Sequence, residues 1–206
     1  MVGRGYGGWV RWLVPVALMG LFGCGSGVST GGGTGVLIGS YALKVKPVSG
    51  MCLVGGVPTK EYEFTGTLSR SADGGRTFFS DGTETYDAGF DGQFASYAQR
   101  VVGTFGLVDG GSCSPCEMTY TQSGRFALLS PSQNTAAGDM CPANPLTGDV
   151  TTNEDAGIVA PQPAADGGYD AVRMCGEITV NVKGEGINCN PGCVACNASY
   201  RVTGTR

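Results

Sequence analysis

From about residue 36 onward, apolar side chains recur at every second position in short runs separated by glycine-containing turns, and this period of two restricts the chain to half-buried β-strands. Tyr41, Leu43 and Val45 fall on one side of such a run, with Lys44 and Lys46 on the other. Tyr62, Phe64 and Leu68 alternate with Glu61, Glu63, Thr65 and Thr67, and Ile178, Val180 and Val182 alternate with Glu177, Thr179, Asn181 and Lys183. The same reading covers Phe94 to Phe105, Met118 to Tyr120, Phe126 to Leu129 and Ala198 to Val202, with adjacent Val101 and Val102 predicting a bulge or burial on both sides. Asp-Gly recurs at Asp73-Gly74, Asp81-Gly82, Asp91-Gly92 and Asp109-Gly110, a pair whose tolerance of positive φ suits tight turns between antiparallel strands. No segment sustains a helical period. The expectation is one all-β domain over 36–206, a disulfide-stapled antiparallel β-sandwich.

Residues 131–170 break the pattern. They are rich in proline, glycine, alanine and asparagine, and carry Asp139, Asp149, Glu154, Asp155, Asp166 and Asp170 without a basic residue. A long acidic loop, disordered through much of its length, is the expectation there. No Asp-x-Asp-x-Asp-Gly spacing occurs in it, so simple solvation is preferred to calcium ligation.

Histidine is absent, which excludes Ser-His-Asp and Cys-His nucleophile systems and imidazole-based zinc enzymes. The formal charge is -4, and an acidic chain has no electrostatic support for binding nucleic acid.

The first 23 residues have the order of a secretory signal: Arg4 and Arg11, an apolar run from Trp12 to Phe22, then Gly23. That run is too short for a helix that must span a bilayer with about 20 residues. Leu21-Phe22-Gly23-Cys24 resembles the lipobox of bacterial lipoproteins, with Phe22 standing where a smaller residue is common. The resemblance implies cleavage before Cys24, a diacylglycerol on its thiol and acylation of its freed amino group. Residues 24–35, nearly all glycine, serine and threonine after the cysteine, form a flexible spacer.

There are nine cysteines. With Cys24 lipidated, Cys52, Cys113, Cys116, Cys141, Cys175, Cys189, Cys193 and Cys196 remain as disulfide candidates, an even set whose connectivity spacing cannot choose. A bridge between Cys141 and Cys175 would staple the base of the acidic loop. Cys113-Ser114-Pro115-Cys116 has the outline of a thioredoxin-type redox motif, but the residues after it alternate like a strand and supply no helix dipole, so a structural disulfide is favoured. Cys193-Val194-Ala195-Cys196 provides a second close pair, and a four-thiolate zinc site across the two is disfavoured by their wide separation and by an oxidising compartment. Glu61 and Glu63 form a candidate carboxylate pair, but their alternation with Tyr62 and Phe64 makes a solvated face the preferred reading.

Taken together, the lipobox, the glycine-serine spacer, the Phe90-Asp91-Gly92-Gln93 turn and the cysteine-rich C-terminal strands resemble cysteine-rich lipoproteins of myxobacteria. The resemblance implies an envelope address and no biochemical activity. The expectation is an exported, lipid-anchored protein, on the outer membrane in preference to the inner, acting as a non-catalytic binding or structural module for an envelope protein or glycan. Exposed aromatics such as Tyr86 and Tyr97 are candidate contact residues, with core packing the preferred use of at least one of them. The alternative is an extracytoplasmic enzyme, either a carboxylate-based hydrolase or a thiol-disulfide oxidoreductase. Neither metal nor cofactor is expected.

Overall fold

A computed structural model describes residues 35–50, 52, 57–105, 116–146, 150, 152–184 and 195–206. The leader, Cys24 and the spacer up to residue 34 lie outside them, as do Cys113, Cys189, Cys193 and the side chain of Cys116. The chain runs through β1 (Gly35–Ser49), β2 (Tyr62–Ser71), β3 (Thr77–Ser80), β4 (Thr85–Phe90), β5 (Phe94–Phe105), β6 (Cys116–Leu129), a short helix α1 (Pro131–Ala136), β7 (Arg173–Gly184) and β8 (Cys196–Thr205). Each strand pairs antiparallel with the next, and β8 pairs with β1, so the sheet is a closed eight-stranded barrel.

The all-β antiparallel expectation holds, and the sandwich is corrected to a barrel. Period-two alternation is common to both architectures, because it says only that one face of each strand is dry. Closure is decided by β1. Its Gly35 to Val45 pair with β2 and its Ala42 to Ser49 pair with β8, so the two neighbours are displaced along it. Such a displaced register is what closing a sheet requires, and irregularities at Leu37/Gly39 and Pro47/Ser49 supply the bends.

The lumen is packed with side chains. Tyr41, Leu43, Val45, Leu68, Phe79, Phe126, Leu128, Met174, Val180 and Val202 are fully or almost fully buried. Several large inward residues face a glycine on the next strand: Tyr97 faces Gly124, Phe126 faces Gly176 and Leu43 faces Gly204. A Cβ on Gly124 would run into the Tyr97 ring and stand 2.8 Å from Phe126 Cζ. Glycine is therefore required there for volume, so that rings from neighbouring strands can share one narrow barrel.

Outward positions of β7 and β8 are Glu177, Thr179, Asn181, Lys183, Asn197, Ser199, Arg201 and Thr203. A membrane-spanning barrel needs an apolar outer band around a polar interior, and this alternation is the reverse. No helix among the described residues is long and apolar enough to cross a membrane.

Three Asp-Gly turns form as expected, with positive φ at Gly74, Gly82 and Gly92; Asp109-Gly110 lies outside the described residues. The Val101/Val102 expectation is corrected. β5 runs in continuous register with β6 through both, and they are 38% and 53% exposed. The runs at Met118 and Phe126 prove to be one strand, β6, because its middle inward positions are Gln122 and Gly124 and so hide the alternation.

The 131–170 segment also differs from the expectation. Described through most of its length, it is anchored along the lower end and outer wall. Ser130 caps α1 in a capping box with Gln133, and its Oγ donates to the Val159 carbonyl at 2.6 Å. The Tyr169 backbone N–H donates to the Ile38 carbonyl at 3.1 Å, while its ring meets Phe90 edge-on at 5.0 Å. Cys141 is bonded to Cys175 on β7. The acids expected only to solvate the segment also hold its turns: Asp166 accepts the Gly168 N–H at 2.9 Å and Asp170 that of Gln162 at 2.6 Å.

Candidate functional site

The barrel wall has one short hairpin, β3–β4. Its outer registers reach β2 only over Thr67 to Arg70 and β5 only over Ala95 to Tyr97. Above it, Tyr62 to Gly66 of β2 and the long remainder of β5 have no partner strand on that side in these registers, which leaves a window into the lumen. A cavity of about 220 Å³ opens there, lined by Tyr62, Phe64, Asp81, Thr83, Tyr97, Gln122 and Ile178. Ile178 belongs to β7, so the cavity reaches across to the far wall.

Its polar groups are held in two chains. In the first, Tyr120 Oη donates to Gln122 Oε1 and Gln122 Nε2 donates to Tyr97 Oη, each at 2.7 Å. Gln122 is thereby oriented, and the Tyr97 hydroxyl keeps its own proton for an acceptor that the described residues do not provide. In the second, the β3–β4 turn fixes its carboxylates. Asp81 Oδ1 accepts the backbone N–H of Thr83 and Glu84 at 2.8 Å, Asp81 Oδ2 accepts from Tyr86 Oη at 2.9 Å, and Glu84 Oε2 accepts from Gln99 at 3.0 Å.

The floor is aromatic. The rings of Tyr97, Tyr86 and Phe79 form a triangle, Tyr97 standing 4.7 Å from Tyr86 and 5.1 Å from Phe79, while Phe126 stands 5.2 Å from Phe79; Tyr62 and Phe64 stack at 5.9 Å on the side wall. Burial pushes the Tyr62 and Tyr120 hydroxyls up to about 12, and it raises Tyr86 and Tyr97 as well. The charges of Asp81 and Glu84 add to the shift, Asp81 on Tyr62 and Tyr97, Glu84 on Tyr120, and both on Tyr86. The site is thus electronegative, desolvated and stocked with neutral hydroxyls.

Core packing, expected of at least one of Tyr86 and Tyr97, holds for both: they are 8% and 5% exposed and lie beneath the window. Glu61 and Glu63 both pair with Lys44 on the outer face, at 2.7 and 3.7 Å. Cys52 is bonded to Cys196, which ties the chain just beyond β1 to the start of β8 and removes Cys196 from any four-thiolate set. Among the described residues no group of three or more potential ligands could hold a metal ion.

Of the window residues, the sequence singles out only Tyr97 as a candidate contact, and nothing in it brings Tyr97 together with the others. Their one signal is parity: Tyr120 and Gln122 share the inward face with Met118 and Phe126, and an amide at an inward position must find a buried partner.

Fold and site together define a disulfide-clasped antiparallel β-barrel, apolar within and polar without, whose wall opens on one polar-aromatic cavity. Two disulfides are the mark of a chain that folds in an oxidising compartment. No protein-family model matches the chain, and neither does any curated protein or solved structure.

Proposed function

We propose that this chain is an exported lipoprotein, held by acyl groups on Cys24 to the envelope and to the outer membrane in particular, whose barrel is a non-catalytic binding module. The observation that carries the binding role is the window: among the described residues, a cavity opens into a lumen packed with side chains and presents oriented hydrogen-bonding groups against stacked rings. Barrel mouths are recurrent ligand sites for this reason. The address is supported by the signal-like leader and by the two disulfides.

The path of β1 supports an orientation. Its first residue, Gly35, lies at the end of the barrel that also holds the 72–76 and 91–93 turns, whereas the window lies toward the opposite end, above the β3–β4 turn. A tether running into Gly35 therefore joins the barrel at the end away from the cavity and leaves the window unobstructed. An envelope glycan or protein would reach the cavity through it.

The test is made on protein isolated from membranes of a bacterial host. Wild type should partition with the envelope and carry an acylated Cys24, while Cys24→Ser should be released in soluble form. Native mass spectrometry should find a small molecule retained from envelope extract by wild type and lost in Thr83→Trp, which lays a ring over the opening. Thiols free in the cytosolic fraction would end the envelope assignment, and equal retention by both proteins would end the role of the window. Chemical conversion of the retained molecule would place the protein among enzymes instead.

A further inference from the structure

Resting on that reading of the window as a ligand site, we infer that the molecule it takes is a small organic cation, a quaternary or protonated amine. Three properties of the cavity converge on this class. Its lining is aromatic: Tyr62 and Phe64 stand on one side and Tyr97 forms the floor. A cation that reaches the face of such a ring is attracted through its quadrupole, most strongly where water is excluded.

Its charges are of one sign. Asp81 lines the opening, Glu84 sits in the same turn, and among the described residues neither forms an ion pair. Among the described residues no basic side chain lines the cavity: Lys44 pairs with Glu61 and Glu63, Arg76 pairs with Asp87, and neither Lys60 nor Arg100 belongs to the lining. The carboxylate field falls instead on tyrosine hydroxyls, which cannot neutralise it. A negative potential enclosed by low-dielectric walls concentrates cations.

Its size is small. At about 220 Å³ the cavity lies below the range of drug-sized sites, which begins near 300 Å³, and suits an alkylated ammonium with a short polar arm. The free O–H of Tyr97 and the amide of Gln122 are placed to bond that arm.

The experiment titrates the full-length acylated protein, in a polyoxyethylene detergent, with choline and with its uncharged isostere 3,3-dimethylbutan-1-ol. The readout is the ring signals of ¹³C-labelled tyrosine by NMR. Choline should shift Tyr62 and Tyr97 saturably and bind at least about tenfold more tightly than the isostere, as expected of a desolvated cation–π site. Asp81→Asn should weaken choline severalfold and leave the isostere unchanged. Glu84→Gln, which leaves the backbone bonds of the turn intact, should act in the same direction. Equal affinity for choline and the isostere would overturn the cation assignment while leaving the window a ligand site. So would glucose moving the same signals where choline does not, which would point to a neutral glycan. Silence from every probe would also overturn it, and retention of an envelope molecule by wild type but not by Thr83→Trp would still decide the broader reading.

Discussion

Alanine at Gly124 tests the packing on which both the barrel and its window depend. No positive φ marks this residue, so a side chain meets no backbone objection. On backbone grounds alone, Gly→Ala should stabilise by about 0.4–1 kcal/mol, because it narrows the unfolded ensemble. Volume acts in the other direction. The new Cβ collides with the ring of Tyr97, its cross-strand partner, and comes within 2.8 Å of Phe126 Cζ. Neither ring can give way easily: Tyr97 packs against both Tyr86 and Phe79 and is held through its hydroxyl by Gln122, and Phe126 is 1% exposed. Overpacking of this kind costs about 1–3 kcal/mol. The net expectation is a loss of about 1–2 kcal/mol, or roughly 2–8 °C in Tm for a domain of this size. Gly89→Ala is the matched control. Gly89 lies on β4 facing solvent, and its nearest new neighbour would be Ser96 Oγ at an ordinary 3.5 Å, so a gain of about 0.4–1 kcal/mol is expected. Urea and thermal unfolding followed by far-UV circular dichroism would measure both. A Gly124→Ala protein as stable as wild type, or shifted in the same direction as Gly89→Ala, would refute the claim that lumen rings are packed on glycine.

The tyrosines predict an alkaline limit. Burial holds the neutral forms of Tyr41, Tyr62 and Tyr120 and pushes each hydroxyl up to about 12. Since the unfolded value is near 10, their contribution is complete below pH 10 and is lost as the pH rises from 10 to 12. Absorbance at 295 nm should therefore rise together with the loss of circular dichroism, and independent ionisation of a folded barrel near pH 10 would contradict this. Ser130→Ala removes the α1 cap and the bond to the Val159 carbonyl, at a cost of about 1–2 kcal/mol. Hydrogen exchange should quicken within 131–170 while β1 and β7 stay protected.

What the sequence determined by itself is local. The parity of Tyr41, Leu43 and Val45, and of Ile178, Val180 and Val182, was legible because alternation is a property of a single strand. The Asp81 and Asp91 turns were legible because each carboxylate accepts backbone N–H groups two and three residues onward, with no help from the rest of the fold. What only the tertiary structure decided is long-range. Closure into a barrel depends on the offset between the two partners of β1, and nothing within one strand encodes an offset. Nothing in the sequence marks the glycines at 124 and 176 as packing positions until the rings of Tyr97 and Phe126 are placed opposite them. Cys52 meets Cys196 across 144 residues because β1 and β8 become neighbours on closure. The window belongs to the same class: it exists because β3 and β4 are shorter than the strands beside them, and a gap in a wall has no residues of its own to be read.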